Sequence, residues 1–321
     1  MQSHEVEDGR GRRRDDSTIE IALVNNMPSS AFDATEQQFV TLLEAAAHEL
    51  GGTAVRLSRY GIEGLERSAE VQGRIAREYS HIELLYATQP DGLIVTGTEP
   101  RALDLRSEPY WGALAELIAW AKDAVASAVV SCLAAHAAAL LFDGIERETL
   151  PAKCSGVFVQ DVVSGHPLTM DLGKKVHMPH SRLNDLPSAS LQAGGYTNLI
   201  ESPEMNWTVA VKEQGNCTFV LVQGHPEYST TSLLREYRRD LQRYARGERR
   251  DLPAIPVGYL DGESERLLQD FVTRVLAAAG LMSEFPFDQV AQRLVNTWQG
   301  SGTRLYANWL RLIQCRRKHS A

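Results

Sequence analysis

Three apolar runs of this sequence end in residues that can do acyl-transfer chemistry. The run AVASAVVS ends at Cys132 and leads straight into the alanine-rich LAAHAAALLF, a strand passing into a helix. A thiol at such a turn is exposed, and the helix N-terminus favours its thiolate form. The run TFVLVQ ends at Gly224-His225-Pro226-Glu227. His225 can serve as general base to a thiol, and Glu227 can hold the imidazole in one tautomer and stabilise its cation. The third run, GLIVTGT, ends at Gly97, where the chain can approach closely and point N–H groups inward. An amide near Gly97 or Thr98, together with that of Leu133, is a candidate oxyanion hole. Taken singly each element is weak, since a histidine after a strand is more often structural and a buried cysteine more often inert. Together, at three strand ends, they make a complete kit of nucleophile, base and N–H donors.

Reactive groups of open α/β sheets sit outside the carboxyl ends of strands, and the order of elements here fits such a sheet. IEIALVNN from Ile19 reads as a strand, a turn follows at Met27-Pro28, and Thr35 to Leu50 is amphipathic. TAVRLSRY and DGLIVTG are further strands, and 110–123 has apolar residues at helical spacing. Residues 151–222 are more strand-rich, and 229–245 form a helix with Ser and Thr at its start. The pattern predicts an open, mostly parallel sheet with helices on both faces, in one α/β domain over 18–321 with a carboxy-terminal helical extension from about 264. Residues 1–17 read as a disordered leader without a function.

With 321 residues, 43% of them hydrophobic, the chain can bury a large core without disulfides or metals. Its 33 Lys and Arg against 41 Asp and Glu leave a formal charge of −8, which disfavours nucleic acid or anionic membrane as a general partner and leaves room for a local basic pocket. No run approaches the roughly 18 to 20 apolar residues of a membrane span, and the amino terminus is polar where a secretory signal would be apolar, so a cytoplasmic address is expected. Cys132, Cys154, Cys217 and Cys315 contain no CxxC pair, which argues against a disulfide framework and a zinc site. No metal is expected, since Asp, His and Cys nowhere cluster at ligand spacing.

The stretches NNMP with TEQQF, DGLIVTG with YW, SGVF, MPHSR, GHPEY, EYRRD and ANWL fall in order from about Ile21 to Leu312. In them the chain resembles the homoserine O-acyltransferase family of the MetA type, and MPHSR and GHPEY are the most specific parts. The resemblance implies a fold similar to class I glutamine amidotransferases, itself flavodoxin-like, and a ping-pong reaction. Cys132 would take an acyl group from an acyl-CoA co-substrate, succinyl-CoA favoured over acetyl-CoA, and pass it to the hydroxyl of homoserine, with no cofactor bound. By motif position Arg239 would pair with the amino acid's carboxylate, Ser181 would contact substrate and Lys153 would meet the acyl donor. The resemblance also implies methionine biosynthesis and a homodimer.

Some positions depart from the family pattern. Ser29 and Ser30 stand where a lysine usually follows the Met-Pro of the first loop, and His136 stands where a glutamine commonly lies four residues after the nucleophile. The acyl-selecting position falls on Arg101, which is neither the Gly of many succinyl-transferring members nor the Glu of acetyl-transferring ones. A guanidinium there is a candidate for holding the free carboxylate of a succinyl group. Residues 258–304 match poorly. Serine or another hydroxy-amino acid therefore stays open as acceptor. The rival readings are a glutamine amidotransferase, for which the glycines around the nucleophile are missing, a cysteine hydrolase, and a non-catalytic protein that binds acyl-CoA or an amino acid.

Overall fold

Alternation along the parallel strands decides which helices cover which side of the sheet. The computed structural model describes residues 17–163, 165–277 and 281–320, so the expected leader lies outside the described residues except for Ser17. In chain order the first half runs β1 (Thr18–Val24), α1 (Phe32–Glu49), β2 (Ala54–Tyr60), α2 (Ala69–Glu78), α3 (Ile82–Thr88), β3 (Gly92–Val95), α4 (Trp111–Ala124), β4 (Ser127–Ser131) and α5 (Leu133–Asp143). Then follow β5 (Glu148–Val162), β6 (Lys175–Asp185), α6 (Ser188–Ala193), β7 (Thr197–Ser202), β8 (Asn206–Gln214), β9 (Cys217–Val222) and α7 (Ser232–Ala245). The chain closes with α8 (Gly262–Ala277), α9 (Phe287–Ala291) and α10 (Gln299–Ser320).

Ala22, Val24, Leu93 and Val95 face one way, onto Leu114, Leu117 and Ile118 of α4 and the alanines of α5. Ile19, Ile21, Leu23 and Ile94 face the other way, onto Phe39 and Leu43 of α1 and Tyr306, Trp309 and Leu310 of α10. Strands covered on both faces must be apolar at every position, and β3 and β9 are buried throughout.

The nine strands form one sheet in the order β2-β1-β3-β4-β9-β8-β7-β5-β6. Pairing is parallel from β2 to β9 and antiparallel from β9 to β6. The mostly parallel sheet read from the sequence is thus parallel in the half that carries the three strand ends, and the strand-rich stretch 151–222 makes an antiparallel wing. The physical reason is connection length: β7 to β8 and β8 to β9 are joined by short turns, which leave no room for a crossover helix.

The carboxy-terminal helices divide into two roles. Helices α8 and α9 pack with α7 in a separate cluster around Phe271, Phe285 and Trp298. Helix α10 returns to the main sheet, where the Trp309 indole donates to Ser127 Oγ at 2.9 Å. No helix among the described residues is long and apolar enough to cross a membrane. Replacing Trp309, fully buried between β1, β3 and β4, by alanine should cost about 3–5 kcal/mol in urea unfolding, as large core truncations do.

Candidate active site

The carboxyl ends of β1, β3, β4 and β9 are held level by the pairing register, with Val24 opposite Val95, Val95 opposite Val130 and Ser131 opposite Val222. Immediately beyond β4, Cys132 adopts φ 51° and ψ −112°, a left-handed conformation that costs a non-glycine residue about 1–3 kcal/mol. Its amide donates to Val222 O at 2.7 Å, which pins the turn to the end of β9 three residues before His225. The thiol is partly accessible, whereas Cys217 is buried and its thiol is pushed far up by desolvation. Burial also raises Cys154.

His225 Nδ1 lies 2.8 Å from Glu227 Oε1, and the Cys132 sulfur is near enough to act electrostatically on the ring. Burial opposes a charge on the imidazole, but the Glu227 carboxylate and then the Cys132 sulfur outweigh it and raise the ring to about 10. Tyr228 stacks on the ring at 4.2 Å between centroids. Leu133 opens α5, where the first N–H groups have no carbonyl of their own helix to meet. Gly97 is packed against this turn: a Cβ placed on it would lie 3.1 Å from the Leu133 nitrogen and 3.4 Å from Cys132 Cβ. The space beside the Leu133 amide therefore exists because residue 97 is glycine, and Thr98 follows directly.

The two motifs most specific to the resemblance meet here. His225 N–H donates to Pro179 O at 2.9 Å, and a Cβ on Gly224 would fall 2.4 Å from Met178 Cγ, so only glycine lets the strand end pass the Met-Pro-His-Ser-Arg segment. That segment carries Ser181, whose hydroxyl donates to Glu236 Oε2. Tyr228 OH donates to the other oxygen at 2.6 Å, and Lys153 Nζ lies 3.5 Å from Oε2 and 2.7 Å from Asp240 Oδ2. Burial works against the charge of Glu236, but Lys153 and Arg239, followed by the two hydroxyl donors, hold its carboxyl below the ordinary value. Arg239 reaches Asp240 Oδ1 at 3.3 Å. Lys153, Ser181 and Arg239 are therefore brought together around a carboxylate that the sequence reading did not single out. Glu236 lies three residues before Arg239, one turn apart on α7, and this spacing was the available signal.

His136 is buried, and desolvation lowers it to about 4, so it is neutral at neutral pH. Its Nε2 lies 2.7 Å from Gln223 Oε1, and Gln223 donates in turn to Asp185 Oδ1 at 3.0 Å. It ties α5 to the end of β9, just before His225. Arg101 is exposed and pairs with Glu66 at 2.8 Å, and Glu99 of the same loop is the residue that faces α7, paired with Arg243 at 2.8 Å. Ser29 Oγ accepts from Ser68 N at 2.8 Å and so anchors the start of α2. No group of three or more His, Cys, Asp or Glu side chains among the described residues is arranged to hold a metal ion.

A family model described as homoserine O-succinyltransferase matches residues 3–319. The homoserine O-succinyltransferase of Rhodopseudomonas palustris is 44% identical, covering 91% of this chain and 87% of that protein. That of Methylorubrum extorquens is 38% identical over 93% of this chain and 88% of that protein. Among solved structures, a glutamine amidotransferase from Methylobacillus flagellatus superposes with a TM-score of 0.49 at 14% identity, covering 92% of this chain and 95% of that chain. With a match that spans nearly the whole sequence and relatives this similar over most of their length, the chain belongs to the homoserine O-succinyltransferase family.

Proposed function

We propose that this protein is a cytoplasmic, homodimeric homoserine O-succinyltransferase of methionine biosynthesis that uses succinyl-CoA as donor. The observation that carries the reading is the Cys132, His225 and Glu227 array at the ends of two neighbouring strands, in a chain of this family. His225, charged at neutral pH, holds the proton given up by Cys132, and the Cys132 thiolate attacks the thioester carbonyl. The tetrahedral oxyanion forms against the Leu133 amide and the Gly97-Thr98 backbone, and its collapse expels the CoA thiolate, which recovers the proton from His225. In the second half the homoserine hydroxyl gives its proton to His225 and attacks the acyl-cysteine. Collapse then releases O-succinylhomoserine and returns the Cys132 sulfur.

Each of these proton transfers needs a ring held in one orientation, and Glu227 supplies it. An α-amino acid acceptor is zwitterionic and needs both signs of charge. Arg239 offers a fork for its carboxylate, and Glu236, on the same helix, a negative group for its ammonium. Ser181 and Lys153 border the same carboxylate and would contact the acceptor and the acyl group.

The first test is release of free CoA from succinyl-CoA or acetyl-CoA, each with homoserine, serine or no acceptor. Release is expected with succinyl-CoA and homoserine, falling by at least about a thousandfold in Cys132→Ala. Release with serine in preference to homoserine would change the acceptor, and no release with any pairing would favour a binding protein over an enzyme. Arg101 enters as the acyl-selecting candidate: Arg101→Glu should shift the succinyl-to-acetyl ratio of kcat/KM by about tenfold or more, and an unchanged ratio removes it from that role.

In Glu227→Gln, burial acts on His225 with less opposition, so its NMR titration should move down from about 10. Because the folded value lies above the ordinary 6.5, the charged ring adds stability that is complete below pH 6.5 and is lost as pH rises through about 10. The wild-type urea midpoint should fall across that interval, and the fall should shrink in Glu227→Gln.

A further inference from the structure

Helix α7 has three faces. Leu233, Leu234, Tyr237 and Leu241 are buried in the cluster with α8 and α9, while Glu236 and Asp240 turn to the site. The third face carries Arg235, Arg238, Arg239 and Gln242, spaced i, i+3, i+4 and i+7, and with Phe287 these residues line an open groove of about 400 Å³. Arg235 and Arg238 are exposed, and neither has a carboxylate partner among the described residues. Arg238 instead lies over the Phe285 ring at 5.8 Å. Most arginines of this acidic chain are paired or bound to carbonyls, so two adjacent free guanidinium groups beside an aromatic ring make a local positive site in a protein of net charge −8.

The groove borders the acyl-transfer site. Arg239 lines it and also reaches Asp240, which holds Lys153; Lys153 lies against Glu236, and Glu236 accepts from the tyrosine stacked on His225. Resting on the acyl-transfer reading above, we propose that Arg235, Arg238 and Phe287 hold the adenosine phosphate head of the acyl-CoA donor. Guanidinium forks suit phosphate oxygens, and a flat base packs on an aromatic ring or a guanidinium plane. The long pantetheine arm would then lead past Arg239 toward Cys132. The half-buried Arg239 stays with the acceptor, and the two exposed arginines meet the phosphates.

The test compares two donors, succinyl-CoA and succinyl-pantetheine, which lacks the nucleotide, with wild type and the Arg235→Glu/Arg238→Glu double variant. The KM for succinyl-CoA should rise about tenfold or more in the variant while its kcat changes by less than about twofold. The kinetics with succinyl-pantetheine should match wild type. Adenosine 3′,5′-bisphosphate should compete with succinyl-CoA in wild type and lose that effect in the variant. An unchanged KM for succinyl-CoA in a variant with wild-type circular dichroism overturns the proposal, as does an equal loss with both donors. If wild type transfers from neither donor, the acyltransferase reading itself falls, whereas transfer from both with no effect of the variant removes only the groove.

Discussion

A buried imidazole keeps a charge only when an opposite charge lies within hydrogen-bond reach, and here Glu227 lies 2.8 Å from His225 Nδ1. The neighbouring architecture keeps that pair dry and aimed at Cys132. Tyr228 covers the ring by stacking, and the Trp298 indole donates to the Tyr228 carbonyl at 2.9 Å. On the far side α10 passes close to Pro226 at Gly302, where a Cβ would come within 2.9 Å of the proline carbonyl. The same helix that covers the sheet thus presses on the loop between His225 and Glu227. Core packing and the geometry of the candidate site are here a single constraint.

Cys132 obeys a related constraint. A residue at φ 51° does not stay there unless its neighbours forbid the alternatives, and the Cys132 amide is tied to Val222 O while its carbonyl accepts from Ala135 and His136. The His136–Gln223–Asp185 chain adds a second tie between α5 and the end of β9. A half-satisfied buried polar chain would be costly, and this one ends on the Arg182 guanidinium at 2.9 Å from Asp185. Two glycines, 97 and 224, supply the close approaches that these ties require.

The meeting of Cys132, His225 and Glu227 was legible in the sequence because chemistry restricts residue type at strand ends, and strand ends show as the point where an apolar run breaks. The two-sided burial of the parallel half was legible for the same reason. The antiparallel wing was seen only as strand-rich, since pairing direction depends on turn length and partner choice, neither of which periodicity reports. Glu236 and Tyr228 lie inside the quoted motifs but are not marked by them, because Glu236 takes its place from contacts with Ser181 and Lys153 more than fifty residues away in the chain, and Tyr228 from its bond to Glu236 and its stack on His225. Arg101 was chosen for its charge, and its direction toward Glu66 follows from a loop held by Glu108 through two backbone amides. His136 looked titratable beside a thiol, but desolvation keeps it neutral and makes it a tether.

Helix α7 links the parallel sheet, the antiparallel wing and the carboxy-terminal helices. Its apolar face needs α8 and α9 as cover, which explains why a chain with a complete sheet continues past residue 245. Docked in that way, the helix delivers Glu236 to Ser181 and Tyr228, Asp240 to Lys153, and Arg243 to Glu99 of the loop that follows Gly97. One rigid element therefore touches the strand end with the candidate oxyanion donors, the loop with His225, and the wing with Ser181 and Lys153. A tilt of α7 would displace Glu236, Arg239 and the loop after Gly97 together. The helices beyond the sheet thereby set the geometry of the candidate site, although none of them carries Cys132, His225 or Glu227.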